Sequence, residues 1–472
     1  MRSNAFRLLV SALAAAVLGA CNGGGGPVPP PATPPTGVPS PAASAAPPAT
    51  TTAGTTPTVT TSLLPATSDP ATTGASDASR IAGWRDDLDE LLPQMAAMHP
   101  NLFHGISRAA FRAGVARLEA SVPELNDDEL MTGVIRLVAR VSADGRDGHT
   151  GAFVWGTGQV PLQSLPLRLW LFPDGVFVVG AMPPDEDLVG ARVVAVAGHP
   201  IADVLRAIDP LVPRDNESTV RLVTPRFLLI PEVLHGLGLI DEAGPVALDV
   251  VDEDGDESTV EVEPIPMSDY NAWAGPYGLH LPPRPGPLYL SRSEEFLWDE
   301  VLADRPDTLY VQYNRVEFLD DDVLGRLRRD AGAPDIRRIV VDIRHNYGGQ
   351  THAFAVVARI LERAAADGRT LAVITGRNTF SAASLFAARL ERNTGAVFVG
   401  EAMGGSPNLY GNPRDFLLLH SGIDVGVATQ YYVGSIPDDP RLTIPPDVPV
   451  ELTSADYFAG RDPALRAALR VP

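Results

Sequence analysis

The sequence predicts an α/β protein: a mainly parallel, helix-flanked sheet in the C-terminal part, after a helical segment and a β-rich middle. Three observations carry that expectation. From about residue 306, short apolar runs alternate with helical stretches, the pattern of buried strands joined by crossover helices. Residues 81 to 141 place apolar side chains at helical spacing behind recognisable caps. Residues 150 to 265 break into short apolar runs separated by Gly, Pro and Asp turns, and no internal repeat is present.

Taken in order, residues 1 to 21 read as an export signal. Arg2 and Arg7 precede an apolar run, Leu8 to Leu18, that is too short to span a bilayer stably. The run closes on Leu18-Gly19-Ala20-Cys21, which resembles the lipobox of bacterial lipoproteins. That likeness implies lipidation at Cys21 and a place in the cell envelope, with the lipid as the only membrane attachment. Residues 22 to 79 are a tract of Gly, Pro, Ala, Thr and Ser with almost no charge, expected to be a disordered linker. As a coil it would reach about 40–50 Å. The composition shifts at Ile81-Ala82-Gly83-Trp84, where a folded body is expected to start.

Residues 80 to 149 form the expected helical domain. Ser107 can cap a helix with Phe111, Val115 and Leu118 on one face, and Asn126 with Glu129 makes a capping box. Residues 150 to 290 form the β-rich region, with strands read at Val176 to Val179 and Ala191 to Val196. Residues 291 to 472 form the α/β part. Its strands are read at Arg338 to Ile343, Leu371 to Thr375 and Ala396 to Gly400, and its helices at Thr351 to Ala366 and Ala382 to Arg392.

Composition narrows the chemistry. The 472 residues carry a net charge of −21, which speaks against nucleic acid and against docking on anionic lipid. Cys21 is the single cysteine, which excludes an intrachain disulfide and a thiolate metal cluster. The chain contains no lysine, so all 37 basic residues are arginine and a lysine general base is impossible. No metal or cofactor is expected.

Three stretches could carry chemistry. "RIVVDIRHNYGG" (338–349) is a buried strand ending in a Gly pair before a helix, where backbone amides can approach negative charge. "GRDGHTGAF" (145–153) sets His149 in a Gly-rich loop. "ITGRNTFSAASLF" (374–386) puts Ser381 at a strand-to-helix elbow. A serine there is ordinarily an N-cap, but the same turn can present its hydroxyl as a nucleophile.

In this order, with "HPNLFHGIS" (99–107), "GEAMGGSPNLYG" (400–411) and "PPDVPVELTSADYFAGRDPAL" (445–465), these stretches resemble the serine peptidase family of tail-specific proteases and the tricorn core protease. The resemblance covers most of residues 81 to 470 and implies a ClpP/crotonase-like catalytic core. Residues 170 to 206 also resemble part of a PDZ-like module, without a recognisable carboxylate-binding loop.

Tail-specific members pair their serine with a lysine, which this chain lacks. The tricorn-like branch uses a histidine, and the matching residue is His149, 232 positions before Ser381. The resemblance therefore implies a Ser381 nucleophile, a His149 general base, and an oxyanion site built from the Ala382 amide with that of Gly348 or Gly349. For the orienting group, tricorn-like enzymes have a serine just before the histidine and a late glutamate. Here Gly148 and the region of Asp438 and Asp439 stand in those places, with Asp439 the candidate acid. His352, Ser384 and His345 lose on position. A peptide or protein substrate is implied. The competing reading is a catalytically inactive binding protein for peptides or small ligands on the same fold.

Overall fold

The computed structural model describes residues 70–153, 160–275 and 279–472. The expected signal, Cys21 and the linker up to residue 69 lie outside the described residues. A helix runs over Pro70–Met98, so helical backbone begins inside the stretch expected to be linker. Proline suits a first helical position, where its missing N–H costs no bond. Trp84, Leu88, Leu91 and Met95 recur at helical spacing and are buried, each contributing about 1.5–3 kcal/mol by leaving water.

The next two helices form where their caps predict. Ser107 accepts the Ala110 amide and opens Arg108–Ser121, burying Phe111 and Val115. Asn126 and Glu129 make a reciprocal capping box at Asp127–Ala139. The middle region is a six-stranded antiparallel sheet, which includes the short strand His199–Pro200 and is completed by Val246–Val251 and Glu257–Val262. The strand–loop–strand–helix order read over residues 170 to 206 appears as Leu167–Phe172, Gly175–Ala181, Arg192–Val196 and the helix Ile201–Ile208. The region also holds helices the β-rich reading did not include, among them Glu217–Phe227.

The C-terminal core is a six-stranded sheet in the order Leu297–Leu302, Arg305–Tyr313, Arg338–Asp342, Thr370–Thr375, Val397–Gly400, Val448–Pro449. Its first pair is antiparallel and the remaining four pairs are parallel. Alternate residues divide between two cores. Ile339, Val341, Leu371 and Val373 pack with Val357, Leu361 and Phe386 of the helices Phe354–Ala366 and Ala382–Asn393. Val340, Ala372 and Ile374 pack on the other face with Ala464 and Ala468 of the helix Pro463–Ala468. Burial on both faces is why these strands read as continuous apolar runs.

A third sheet was not anticipated. No strand is expected after Gly400 in this stretch, yet Asn408–Leu417 and Asp424–Val433 form a long hairpin. Gly411 and Pro413 interrupt the first of these strands, hiding it from a period-two pattern. Gly151–Phe153 adds to the hairpin, with Gly151 opposite Gly426. The strand that follows His149 is thereby tied to a segment more than 270 residues later.

Candidate active site

The strand Thr370–Thr375 delivers the chain into a tight turn ending at Ser381. Thr379 fixes the turn, its hydroxyl donating to the Ile343 carbonyl at 2.8 Å and receiving the Gly376 amide at 3.1 Å. Phe380 N–H donates to the Asn346 carbonyl at 3.0 Å. Arg377 clamps Glu401 through two bonds of 2.9 and 3.0 Å. Ser381 sits at φ 55°, ψ −125°, a backbone conformation that costs a non-glycine residue about 1–3 kcal/mol. It occupies the N-cap position of Ala382–Asn393, but its hydroxyl makes no capping bond. Instead, Ser381 Oγ lies 3.0 Å from His149 Nε2. The ordinary capping role is therefore unfilled, and the hydroxyl faces a base.

His149 is held by its loop and by its ring. Arg146 N–H donates to the Asp215 carbonyl at 3.0 Å, and Tyr410 N–H to the Arg146 carbonyl at 2.8 Å. Thr150 Oγ1 accepts the Ala428 amide at 3.0 Å. The imidazole stacks on Phe380, with centroids 4.6 Å apart and planes 23° from parallel. A Cβ at Gly148 would come within 2.9 Å of that phenyl ring, so the missing side chain there makes room for the stack. Burial pushes His149 down to about 4, against smaller upward pulls from Asp147 and the Tyr410 main chain. The Tyr410 main chain does not reach hydrogen-bond geometry, and Nδ1 has no partner among the described residues. The ring is thus neutral near pH 7, and Nε2 can accept from Ser381 in the tautomer that carries its proton on Nδ1.

The three expected oxyanion residues lie around this pair but are not equivalent. Gly348 N–H donates to Asn346 Oδ1 at 3.0 Å and is already spent. The Gly349 and Ala382 amides have no acceptor among the described residues. Gly348 has φ 105°, and a Cβ there would stand 2.7 Å from the Ser381 Cβ. Only glycine lets the loop pass this close to the hydroxyl.

Asp439 is not brought to the imidazole, which corrects the expectation of an orienting acid there. Both its oxygens receive the Arg441 guanidinium, at 3.0 and 2.7 Å, and these bonds hold its carboxyl far below the usual range. Arg441 is shared with Glu391. The residues set aside on position stay away as well. His352 is exposed, Ser384 Oγ donates to the Thr379 carbonyl, and His345 packs its ring against Tyr289 and His280.

Two features escaped sequence reading. The first is Asp215, fully buried, whose carboxylate accepts the Gly148 amide at 2.6 Å and the Ser406 amide at 2.7 Å. The second is the trio His99, His104 and Asp147, whose ligand atoms lie within 4.8 Å of one another. His99 Nδ1 receives the Asn101 amide at 2.9 Å, which leaves the proton of a neutral ring on Nε2, 3.1 Å from Asp147. That tautomer offers no lone pair to a metal. His104 bridges two carboxylates, Asp144 at 2.7 Å and Asp147 at 3.3 Å. Burial would lower His104, yet the two carboxylates hold it above its ordinary value. Burial would likewise raise Asp147, but bonds from His104 and His99 hold it far below. The trio is a charged hydrogen-bond network beneath the histidine loop.

No known family profile matches the chain, and no curated protein sequence matches it. Among solved structures, mature CPAF superposes with a TM-score of 0.56 at 12% identity, over 80% of this chain and 95% of that one. Mature CPAF complexed with lactacystin gives 0.55 at 12% identity, over 80% and 96%. A photosystem II D1 C-terminal processing protease reaches only 0.36 at 14% identity, over 79% and 93%, too little to argue from. The chain therefore shares the fold of CPAF, with its α/β core, N-terminal helices and β-rich middle in one arrangement.

Proposed function

We propose that this chain is an exported, lipid-anchored serine peptidase with Ser381 as nucleophile and His149 as general base. One observation carries the reading: a hydroxyl on a strained elbow, excused from capping, within 3.0 Å of a neutral imidazole from a loop 232 residues away. Convergence of this kind is how such pairs are recognised. Ser381 Oγ attacks the peptide carbonyl carbon as His149 Nε2 takes its proton. The amides of Ala382 and Gly349 receive the oxyanion, each worth about 3 kcal/mol in systems of this kind. His149 then protonates the leaving amine, and water repeats the cycle on the acyl-enzyme.

The unpartnered Nδ1 favours a second reading, a binding protein on the same fold that has lost turnover. A fluorophosphonate probe separates the two. The peptidase reading expects covalent labelling that disappears in Ser381→Ala, together with hydrolysis of peptides. A folded wild type that takes no probe and cleaves nothing supports the binding protein. Anchoring is tested separately: Cys21→Ser should move the protein from the membrane fraction to the soluble one. Among the described residues no helix is long and apolar enough to cross a membrane.

A further inference from the structure

The segment Arg214 to Thr219 makes no hydrogen bond to Ser381 or His149, yet it grips the loops on both sides of them. Toward the base loop, the Asp215 carbonyl takes the Arg146 amide at 3.0 Å, the Arg214 carbonyl takes that of Asp147 at 3.3 Å, and Asp215 Oδ1 takes that of Gly148 at 2.6 Å. Toward the loop at residues 403–406, Asp215 Oδ2 takes the Ser406 amide at 2.7 Å. Asn216 Nδ2 donates to the Met403 carbonyl at 3.1 Å, and Thr219 Oγ1 to that of Gly404 at 2.7 Å. The 403–406 loop is in turn fixed to the nucleophile turn, because the Gly405 amide donates to the Thr379 carbonyl at 3.0 Å. A Cβ on Gly405 would stand 3.2 Å from the Phe380 Cα, so this loop lies directly on the residue that stacks on His149. One carboxylate thus closes a path from the residue before the base to the residues before the nucleophile.

We infer that the Asp215 carboxylate is the positioning group of this site, setting His149 against Ser381 by holding two loops in place of an acid on Nδ1. The inference rests on the peptidase reading above. It also accounts for a ring with no third member bonded to it among the described residues. An acid bonded to Nδ1 fixes the imidazole directly; here the main chain on one side of the ring and the stacked phenyl on the other are fixed instead. The two bonds to Asp215 use both oxygens as acceptors, and the ionised carboxyl accepts at both more strongly than the neutral one, whose hydroxyl oxygen is the weaker acceptor. Burial raises Asp215 to about 7, with Asp147 adding to the rise and the two amides and Arg146 opposing it. Arg214 beside it is paired with Asp209 and Glu217, and Met403 to Ser406 contribute no titratable group.

The test is the rate of fluorophosphonate labelling of the full chain between pH 5 and 9, in wild type and in Asp215→Asn. The wild-type rate should climb about tenfold from pH 6 to 8, as one group near 7 ionises. The asparagine keeps one acceptor but turns an N–H toward an amide that needs one. Labelling at pH 8 should fall about tenfold to a hundredfold, the size of effect a small misplacement produces. The rise from pH 6 to 8 should vanish with it, while KM for a peptide substrate stays unchanged. Labelling of the variant at the wild-type rate, or with the wild-type rise, overturns the inference. If Asp215→Asn does not fold, the wild-type profile decides, and a flat rate from pH 6 to 8 overturns it. If folded wild type takes no probe, the peptidase reading fails on its own and hydrogen exchange tests the clamp. In Asp215→Asn, residues 145–150 and 403–406 should then exchange faster together while Thr370–Thr375 stays protected. Unchanged protection in either loop sinks the clamp.

Discussion

The two halves of the site are built on different foundations. The half that carries the proposed nucleophile grows out of the parallel sheet: Thr370–Thr375 is paired on both edges and buried on both faces, and the turn after it is locked by Thr379. The half that carries the proposed base rests on no strand of that sheet, and only the short strand Gly151–Phe153 follows it. His149 is held by a short loop whose partners come from residues 214–215, 410 and 428. A group on the sheet keeps its place through local chain geometry, whereas a group on the loop keeps it only while several remote contacts persist together. Perturbing the first half should therefore act on chemistry and folding at once, and perturbing the second on chemistry before folding.

The largest effects test whether the halves act as one unit. Ser381→Ala and His149→Ala should each lower peptide hydrolysis at least about a thousandfold, and the double variant should be little worse than either. Additive losses measured in steady-state kinetics would show that the two do not share a step. Next comes Gly348→Ala, which drives a methyl to within 2.7 Å of the Ser381 Cβ at a backbone angle alanine resists. It should cost about 1–3 kcal/mol of stability in thermal melts and reduce labelling at the same time. Loss of activity with an unchanged melting temperature would contradict the idea that the nucleophile half couples chemistry to folding.

A smaller effect separates the halves by pH. Between about pH 4 and 7 the folded chain keeps a proton on Asp215 that the unfolded chain has released, so this group makes stability fall as pH rises through that window. His149 acts in the opposite sense. With its folded value lowered to about 4, it adds stability as pH rises from there to about 6.5. The melting temperature of Asp215→Asn relative to wild type should accordingly climb from pH 4 to 7 and level off above; a constant difference would mean an ordinary carboxylate. The smallest effect is expected from Asp439→Ala, which frees Arg441 to stay with Glu391. Activity should remain within about twofold and stability within about 1 kcal/mol. A hundredfold loss of turnover would restore Asp439 as the orienting acid.

The same contrast explains what could be read from the sequence. The sheet strands, the caps at Ser107 and Asn126 and the elbow at Ser381 were legible because periodicity, capping chemistry and turn chemistry are local. His149 was legible only through the resemblance of its loop, since the serine it meets stands 232 residues further on. Asp215 was not legible at all. Its side-chain partners are the backbone amides of Gly148 and Ser406, 67 and 191 residues away, and a backbone amide leaves no mark in the residue alphabet. Asp439 misled for the converse reason: its place in the chain suggested a triad, but Arg441 two residues on claims both its oxygens.

The bare side of the His149 ring also sets a tempo. In the proposed peptidase, the ring that takes the serine proton at Nε2 already carries its own on Nδ1, which has no partner among the described residues. A buried donor left so costs about 1–3 kcal/mol. That donor is unpaired before the transfer as well as after it, so what a partner at Nδ1 would add to the rate is only the difference between its hold on the charged ring and on the neutral one.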